Sequence, residues 1–324
     1  MWTPSYSLFK TTLMNMCRMT TPAGHESFTW AQLPIVPYGA APGAGSGYKE
    51  GMSYIDEDNN YIVIIPGKGE RILWASHADT ADDEPTFVHL KVEGEMLSTD
   101  GNSILGADDK VGCAIMAMMI RAGVPGTYAF FAGEEIGCVG SAAAALRTAD
   151  GEFDAVISLD RKGYTSVITH QLGRRCCSDA WAKDLGARIQ EHSRGVVRLS
   201  PDSTGVYTDS QKFASKIREC TNLSVGYFDQ HCKTEHANME FAYELCCALI
   251  RIGLGVGIPD PVRNIDDQED EEDWYGSYRG LYSKFSPDDY ELGMSPNSRY
   301  SVGLPSGRKD LDSLTDAEWI DYMS

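Results

Sequence analysis

Three features of this chain predict an α/β fold: a mixed, mostly parallel central sheet with helices on both faces. Short, almost wholly apolar segments recur at Ile72–Ser76, Tyr128–Phe131 and Ala155–Leu159. Each runs into polar residues: His77-Ala78-Asp79, Gly133-Glu134-Glu135 and Asp160. Helical apolar spacing fills the intervals, at Asp109–Arg121 and Ile136–Leu146. Strands buried on both faces read as unbroken apolar runs, and parallel sheets bind ligands beyond their strand C-termini.

The remaining elements follow in order. Ser7–Met19 carries Leu8, Phe9, Leu13, Met16 and Cys17 at helical spacing, closed by Thr20-Thr21-Pro22. Pro34–Gly51 turns to Pro, Gly, Ala and Ser and reads as a flexible loop. Strands are expected at Tyr61–Ile65 and Ile72–Ser76, around the turn Pro66-Gly67-Lys68-Gly69, and a hairpin at Thr86–Leu97 around Glu93-Gly94. The helix Asp109–Arg121 would turn Val111, Ala114, Ile115, Met118 and Met119 inward. Further helices are expected at Ala180–His192, Ser210–Arg218 and Met239–Ile252, and a strand at Leu223–Tyr227. From Pro259 the character changes to an acid run, Asp266–Asp273, and then Tyr, Gly, Ser and Pro without apolar periodicity. The expected division is a catalytic domain over 1–258 and an acidic, largely disordered tail over 259–324. Leu314–Met323, with Thr315 and Glu318 forming a capping box, reads either as a solvated turn or as a short helix that docks a protein partner.

Composition bounds the function. The 324 residues suffice for a large core, and 42% hydrophobic with 23% charged residues is ordinary for a globular protein. A formal net charge of -19 argues against nucleic-acid binding, which takes clustered Lys and Arg. No apolar run approaches the roughly 20 residues of a membrane span, and Met1–Thr20 lacks a secretory pattern. The nine cysteines form no C-x-x-C pair and read as buried free thiols in a reducing compartment, so a cytoplasmic protein is expected.

Chemistry concentrates between Asp100 and Glu135. Two pairs of adjacent carboxylates, Asp108-Asp109 and Glu134-Glu135, stand at the edges of apolar segments. Unpaired carboxylates beside a core lose hydration, and a divalent metal is the simplest compensation. His77-x-Asp79 adds an imidazole; alternation along extended chain puts both side chains on one side, so the acid can steady the ring. The set is completed by Asp160 and by His231-Cys232-Lys233-Thr234-Glu235, with His236 as the competing histidine. Each member falls at a strand end or a helix start.

This ordered set resembles the zinc-dependent exopeptidase superfamily, which includes bacterial leucyl aminopeptidases, glutamyl aminopeptidases and the tripeptidase peptidase T. Asp100-Gly101 followed by Leu105-Gly106-Ala107-Asp108-Asp109-Lys110 is especially similar to peptidase T. The resemblance runs from Leu8 to Gly255, with its specific motifs between His77 and Asp160. It implies the phosphorylase/hydrolase-like zinc peptidase fold and two divalent metals, zinc first, with cobalt or manganese as alternatives. His77 and Asp160 would bind one metal, Glu135 and His231 (alternatively His236) the other, and Asp108 would bridge them before a cis peptide to Asp109. Glu134 would act as general base toward a hydroxide bridging the metals, with Asp79 as a further catalytic residue. Thr208-Asp209-Ser210 is similar to an element near the substrate in relatives, and equally reads as a helix N-cap at Ser210. Lys110 either offsets the aspartates or is the first exposed residue of its helix.

The implied activity is aminopeptidase action on the N-terminal residues of short peptides. The alternatives are a carboxypeptidase or N-acyl amino-acid deacylase of the same superfamily, or a non-catalytic binding protein on this fold. Cys232 stands where relatives carry Thr or Ser. Many relatives insert a lid domain, but about 70 residues between Asp160 and His231 and about 30 between His77 and Asp108 are too few for one.

Overall fold

Three helices open on side-chain caps that satisfy amides the first turn leaves free. Ser5 Oγ accepts from Leu8 N ahead of helix α1 (Tyr6–Met16), which buries Phe9, Leu13 and Met16. The short α2 (Ser27–Trp30) follows, then α3 (Ala107–Ala122) and α4 (Val139–Arg147). Ser178 caps α5 (Asp179–His192), and Asn238 caps α6 (Met239–Leu254). The computed structural model describes residues 2–34 and 52–265. The loop expected at Pro34–Gly51, apart from Pro34, and the tail from residue 266, including Leu314–Met323, lie outside the described residues.

Strands β1 (Met52–Ile55), β2 (Tyr61–Ile65) and β3 (Ile72–His77) precede the hairpin β4 (Leu90–Glu93) and β5 (Met96–Thr99). Then come β6 (Gly126–Phe131), β7 (Ala155–Arg161), β8 (Ser166–Ile168), β9 (His170–Gln171) and β10 (Arg174–Arg175). The last four are β11 (Ser200–Asp202), β12 (Glu219–Ser224), β13 (Tyr227–Phe228) and β14 (His236–Asn238). Eight of them form the main sheet, in the order β1-β2-β6-β3-β7-β12-β8-β11. Its centre, β6-β3-β7-β12, is parallel, while β1, β2 and β8 join antiparallel to their inner neighbours. A second sheet, β13-β14-β5-β4, is antiparallel throughout. The mixed α/β architecture expected from the apolar runs is the one observed.

Strand order places the site. From β3 the chain crosses through α3 to β6 on one side, then returns through α4 to β7 on the other. Right-handed crossovers in opposite directions put α3 and α4 on opposite faces and open a crevice at the C-terminal end of β3. Helices α1, α5 and α6 gather on the α3 side, whereas α4 packs against a 3-10 helix, Asp209–Phe213.

Several expectations need correction. Residues 107–120 of α3 are buried all round rather than on one face, because the helix lies between β3 and β7 on one side and α1 and α6 on the other. Gly112 allows the closest approach: a Cβ there would stand 2.2 Å from the Leu159 carbonyl oxygen. Lys110 is not exposed but wholly buried, its Nζ donating to the Met19 carbonyl. Helix α4 starts at Val139 instead of Ile136, since Gly137 and Cys138 both take positive φ. In place of a helix over Ser210–Arg218 there is only the 3-10 turn Asp209–Phe213, and the strand expected at Leu223–Tyr227 runs from Glu219 to Ser224, with Gly226 (φ 94) in the break before Tyr227.

The packed chain also continues past 258. Trp181 Nε1 donates to the Pro259 carbonyl at 2.9 Å, and buried Glu219 accepts from the amides of Val262 and Arg263, each at 2.8 Å. The Arg263 guanidinium in turn donates to the carbonyls of Ala214, Ile217 and Arg218. All nine cysteines are free; eight are buried and Cys232 is exposed. Among the described residues no helix is long and apolar enough to cross a membrane.

Candidate metal centre

Strand ends and helix starts converge at the crevice beyond β3. His77 closes β3, Asp108 opens α3, Glu134 and Glu135 follow β6, and Asp160 sits near the end of β7. His231 arrives from the β13–β14 connection, held in a left-handed conformation (φ 61) that a side-chain-bearing residue rarely adopts. Two donor triads result, His77–Asp108–Asp160 and Asp108–Glu135–His231, with the ligand atoms of each within 4.8 Å of one another. Asp108 belongs to both. Its Oδ1 lies 3.0 Å from His77 Nε2, and its Oδ2 lies 3.3 Å from His231 Nε2. Asp160 Oδ1 is 3.6 Å from His77 Nε2, and Glu135 Oε2 is 3.1 Å from His231 Nε2. The peptide from Asp108 to Asp109 is cis.

The surrounding hydrogen bonds orient these groups. His77 Nδ1 lies 3.0 Å from the Asp79 carbonyl, which can only accept, so Nδ1 carries a proton and Nε2 is the nitrogen turned to the carboxylates. The Asp79 carboxylate accepts from the amides of Glu134 and Glu135 at 3.1 and 3.0 Å. Glu235 accepts from the amides of Leu105, Gly106 and Asp108 at 2.7–2.9 Å, tying the His231 segment to the start of α3. Asp160 is held by Thr208 Oγ1 at 2.6 Å, by Tyr227 Oη at 3.0 Å and, at its amide, by Asn222 Oδ1 at 2.9 Å. Asp109 turns away and accepts from Ser76 Oγ at 2.5 Å and Gly112 N at 3.1 Å.

Crowding of so many acids leaves its mark on their protonation. Burial opposes the charge of His77, but bonds to Asp108, Asp160 and Asp79 outweigh it and push the imidazole pKa well up. Bonds to Asp108 and Glu135 push His231 up to about 10. Asp108 is buried too, yet the two histidines hold it below the usual carboxylate range. Burial raises Asp160 and Glu135, and pushes Glu134 up to about 9 with the charges of Asp160, Asp209 and Glu135 behind it. Glu135 Oε1 and Asp209 Oδ1 are buried without any hydrogen-bond partner. Excess acid, two imidazoles and an orphaned carboxylate oxygen are what a pair of divalent cations would satisfy, and nitrogen and oxygen donors suit zinc, cobalt or manganese. The residues fit divalent metal.

Among the sequence-derived candidates, His236 does not join this group; its Nδ1 faces the Thr234 carbonyl at 3.0 Å and its ring stacks on Phe228. Asp209 is buried beside the site, where burial pushes its carboxyl up to about 7, and Thr208, not Asp209, stands at the N-cap position of the 3-10 turn, its hydroxyl given to Asp160 rather than to a cap. Tyr227 and Asn222 escaped sequence reading because only the tertiary fold brings them to Asp160, and the Thr208-Asp209-Ser210 element gave no sign that its Thr208 hydroxyl would bond Asp160.

No protein-family model and no curated protein matches this chain. Solved structures do. Aminopeptidase PepT from Bacillus cereus superposes with a TM-score of 0.58 at 15% identity, over 78% of this chain and 99% of that one. A tripeptidase from Staphylococcus aureus gives 0.60 at 13% identity, over 77% and 98%. The TET1 peptidase of Pyrococcus horikoshii, which can assemble into a tetrahedron or a large octahedral shell, gives 0.54 at 14%, over 75% and 99%. At such identities the likeness is one of fold: the chain has the fold of these peptidases, as its motifs led one to expect.

Proposed function

We propose that this chain is a two-metal aminopeptidase that releases N-terminal residues from short peptides. The observation that carries the reading is the pair of donor triads joined through Asp108. His77 and Asp160 would hold one cation, Glu135 and His231 the other, and Asp108 both. Bound there, the metals, zinc in the first instance, would act as Lewis acids on the scissile carbonyl and lower the pKa of the attacking water. Glu134 is the general base: its carboxylate takes the proton of that water and delivers it to the leaving amine. Without cations burial keeps Glu134 protonated, up to about pH 9, so positive charge beside it is what frees the base. Asp79 holds the Glu134 and Glu135 amides, and thereby aims a base and a ligand with one carboxylate.

The test is metal content together with hydrolysis of aminoacyl-arylamides. Two equivalents of metal and chelator-sensitive turnover are expected. Glu134→Gln should keep both metals and lose about 100- to 10,000-fold in kcat, whereas Asp108→Ala should lose metal as well. Turnover surviving Glu134→Gln would remove it as the base. Turnover of N-acylated substrates alone would replace the aminopeptidase reading with a deacylase.

A further inference from the structure

The crevice above the donor triads opens into a cavity of about 200 Å³. Its floor is acidic: Asp108, Glu134, Glu135 and Asp160. One wall is not. Arg161 and Lys162, directly after Asp160, are the only lysine or arginine among the lining residues. Among the described residues, arginine ion pairs within 4.0 Å engage Arg71, Arg147, Arg175 and Arg188, and none engages Arg161 or Lys162.

Arg161 is also pre-positioned. Its Nη2 donates to Thr204 O at 3.3 Å and Thr204 Oγ1 at 3.2 Å. That hydroxyl donates onward to Asp202 Oδ1 at 2.7 Å, and Asp202 Oδ2 accepts from Ser166 Oγ at 2.5 Å. Only one guanidinium nitrogen is used by this chain of bonds, leaving Nε and Nη1 to meet a ligand. A guanidinium fork is a usual receptor for a carboxylate, and Lys162 brings a second positive charge to the same wall. Among the described residues neither Arg161 nor Lys162 forms an ion pair within 4.0 Å with the acidic floor, and the carboxylate that feels the charge of Arg161 is Asp202, behind Thr204.

We propose that Arg161 and Lys162 form a subsite for a carboxylate of the substrate, which makes them determinants of specificity. The proposal rests on the peptidase reading and narrows its substrate class. The carboxylate has two possible sources, an acidic side chain on the terminal residue or the free C-terminus of a short peptide.

Matched substrates on the zinc-loaded full-length protein separate them. Glutamyl- and glutaminyl-arylamide differ only in a side-chain carboxylate; leucyl-glycine and leucyl-glycinamide differ only in a C-terminal one. One pair should favour its carboxylate member about 10- to 100-fold in kcat/KM. The double variant Arg161→Gln/Lys162→Gln should bring that ratio toward one, while Arg161→Lys, which keeps the charge, should retain part of it. A variant that merely disturbs the metal floor would slow both members of each pair alike and leave the ratio standing, and that result would overturn the proposal. Equal rates within both pairs of the unaltered protein would overturn it too. Should no substrate turn over, calorimetry with glutarate against glutaramide decides: tighter glutarate binding that the double variant abolishes supports the subsite even with the aminopeptidase reading lost, and indifference to the variant rejects it.

Discussion

Asp79 links the two halves of the candidate centre. Its carbonyl fixes the His77 tautomer, and its carboxylate holds the backbone from which Glu134 and Glu135 project. Replacing it by Asn preserves shape but leaves one of the two amide donors facing an NH2 group. We expect Asp79→Asn to fold normally, to bind metal more weakly and to lose about 10- to 100-fold in activity. A zinc titration beside the kcat measurement checks this; wild-type values for both would exclude a positioning role. The site residues legible in the sequence were those with a spacing logic of their own: His77-x-Asp79 on one side of a strand, acids at the ends of apolar runs, His231 four residues before Glu235. Tyr227 and Arg161 carried no such mark, and Thr208 only its place in Thr208-Asp209-Ser210. They meet the site because β7 lies beside β12 and because the chain folds back along Gly205–Thr208, and both are tertiary facts.

At the level of elements, the long central strands and helices were readable from apolar runs and period, while the short pieces β1, β8, β9, β10 and β11 were not. Segments of two to four residues are too short to show a period, and the edge strands β1 and β11 bury little besides. The end of the domain shows the same limit. Composition marks a change at Pro259, but burial of Glu219 and Trp181 depends on residues 259–263. Cutting the chain after Ile258 would strip two amide donors from a buried carboxylate and an acceptor from a buried indole. Cutting after Ile265 would spare all three and still remove the acidic tail. We expect the shorter protein to be less stable by roughly 2–5 kcal/mol, since hydrogen bonds to buried charges are costly to break. Urea denaturation of the two truncated proteins measures the difference, and equal midpoints would place the boundary at 258 after all.

For the molecule as a whole, the candidate centre couples folding, protons and metal. Burial pushes Glu134 up to about 9 and Asp209 and Glu235 each up to about 7, while neighbouring carboxylates push His231 up to about 10. All four shifts have one sign. A group whose pKa is higher in the folded than in the unfolded state stabilises fully below its unfolded pKa and loses that contribution as pH rises through the folded value. For Asp209 the loss begins near pH 3.8, for Glu134 and Glu235 near 4.5 and for His231 near 6.5, and together they extend past pH 9. Asp108, held low, acts only at more acidic pH and does not oppose the trend. The metal-free protein should therefore lose stability steadily from about pH 5 to pH 9. Divalent cations bind the deprotonated groups and displace those protons, so their stabilising effect should grow over the same interval. Thermal unfolding with zinc and with chelator, at several pH values, gives the difference in Tm directly; taking that difference cancels the repulsion within a chain of net charge -19, which both forms share. A zinc-dependent gain in Tm that stays flat with pH, or shrinks, would mean the buried acids hold their protons for some purpose other than making room for metal.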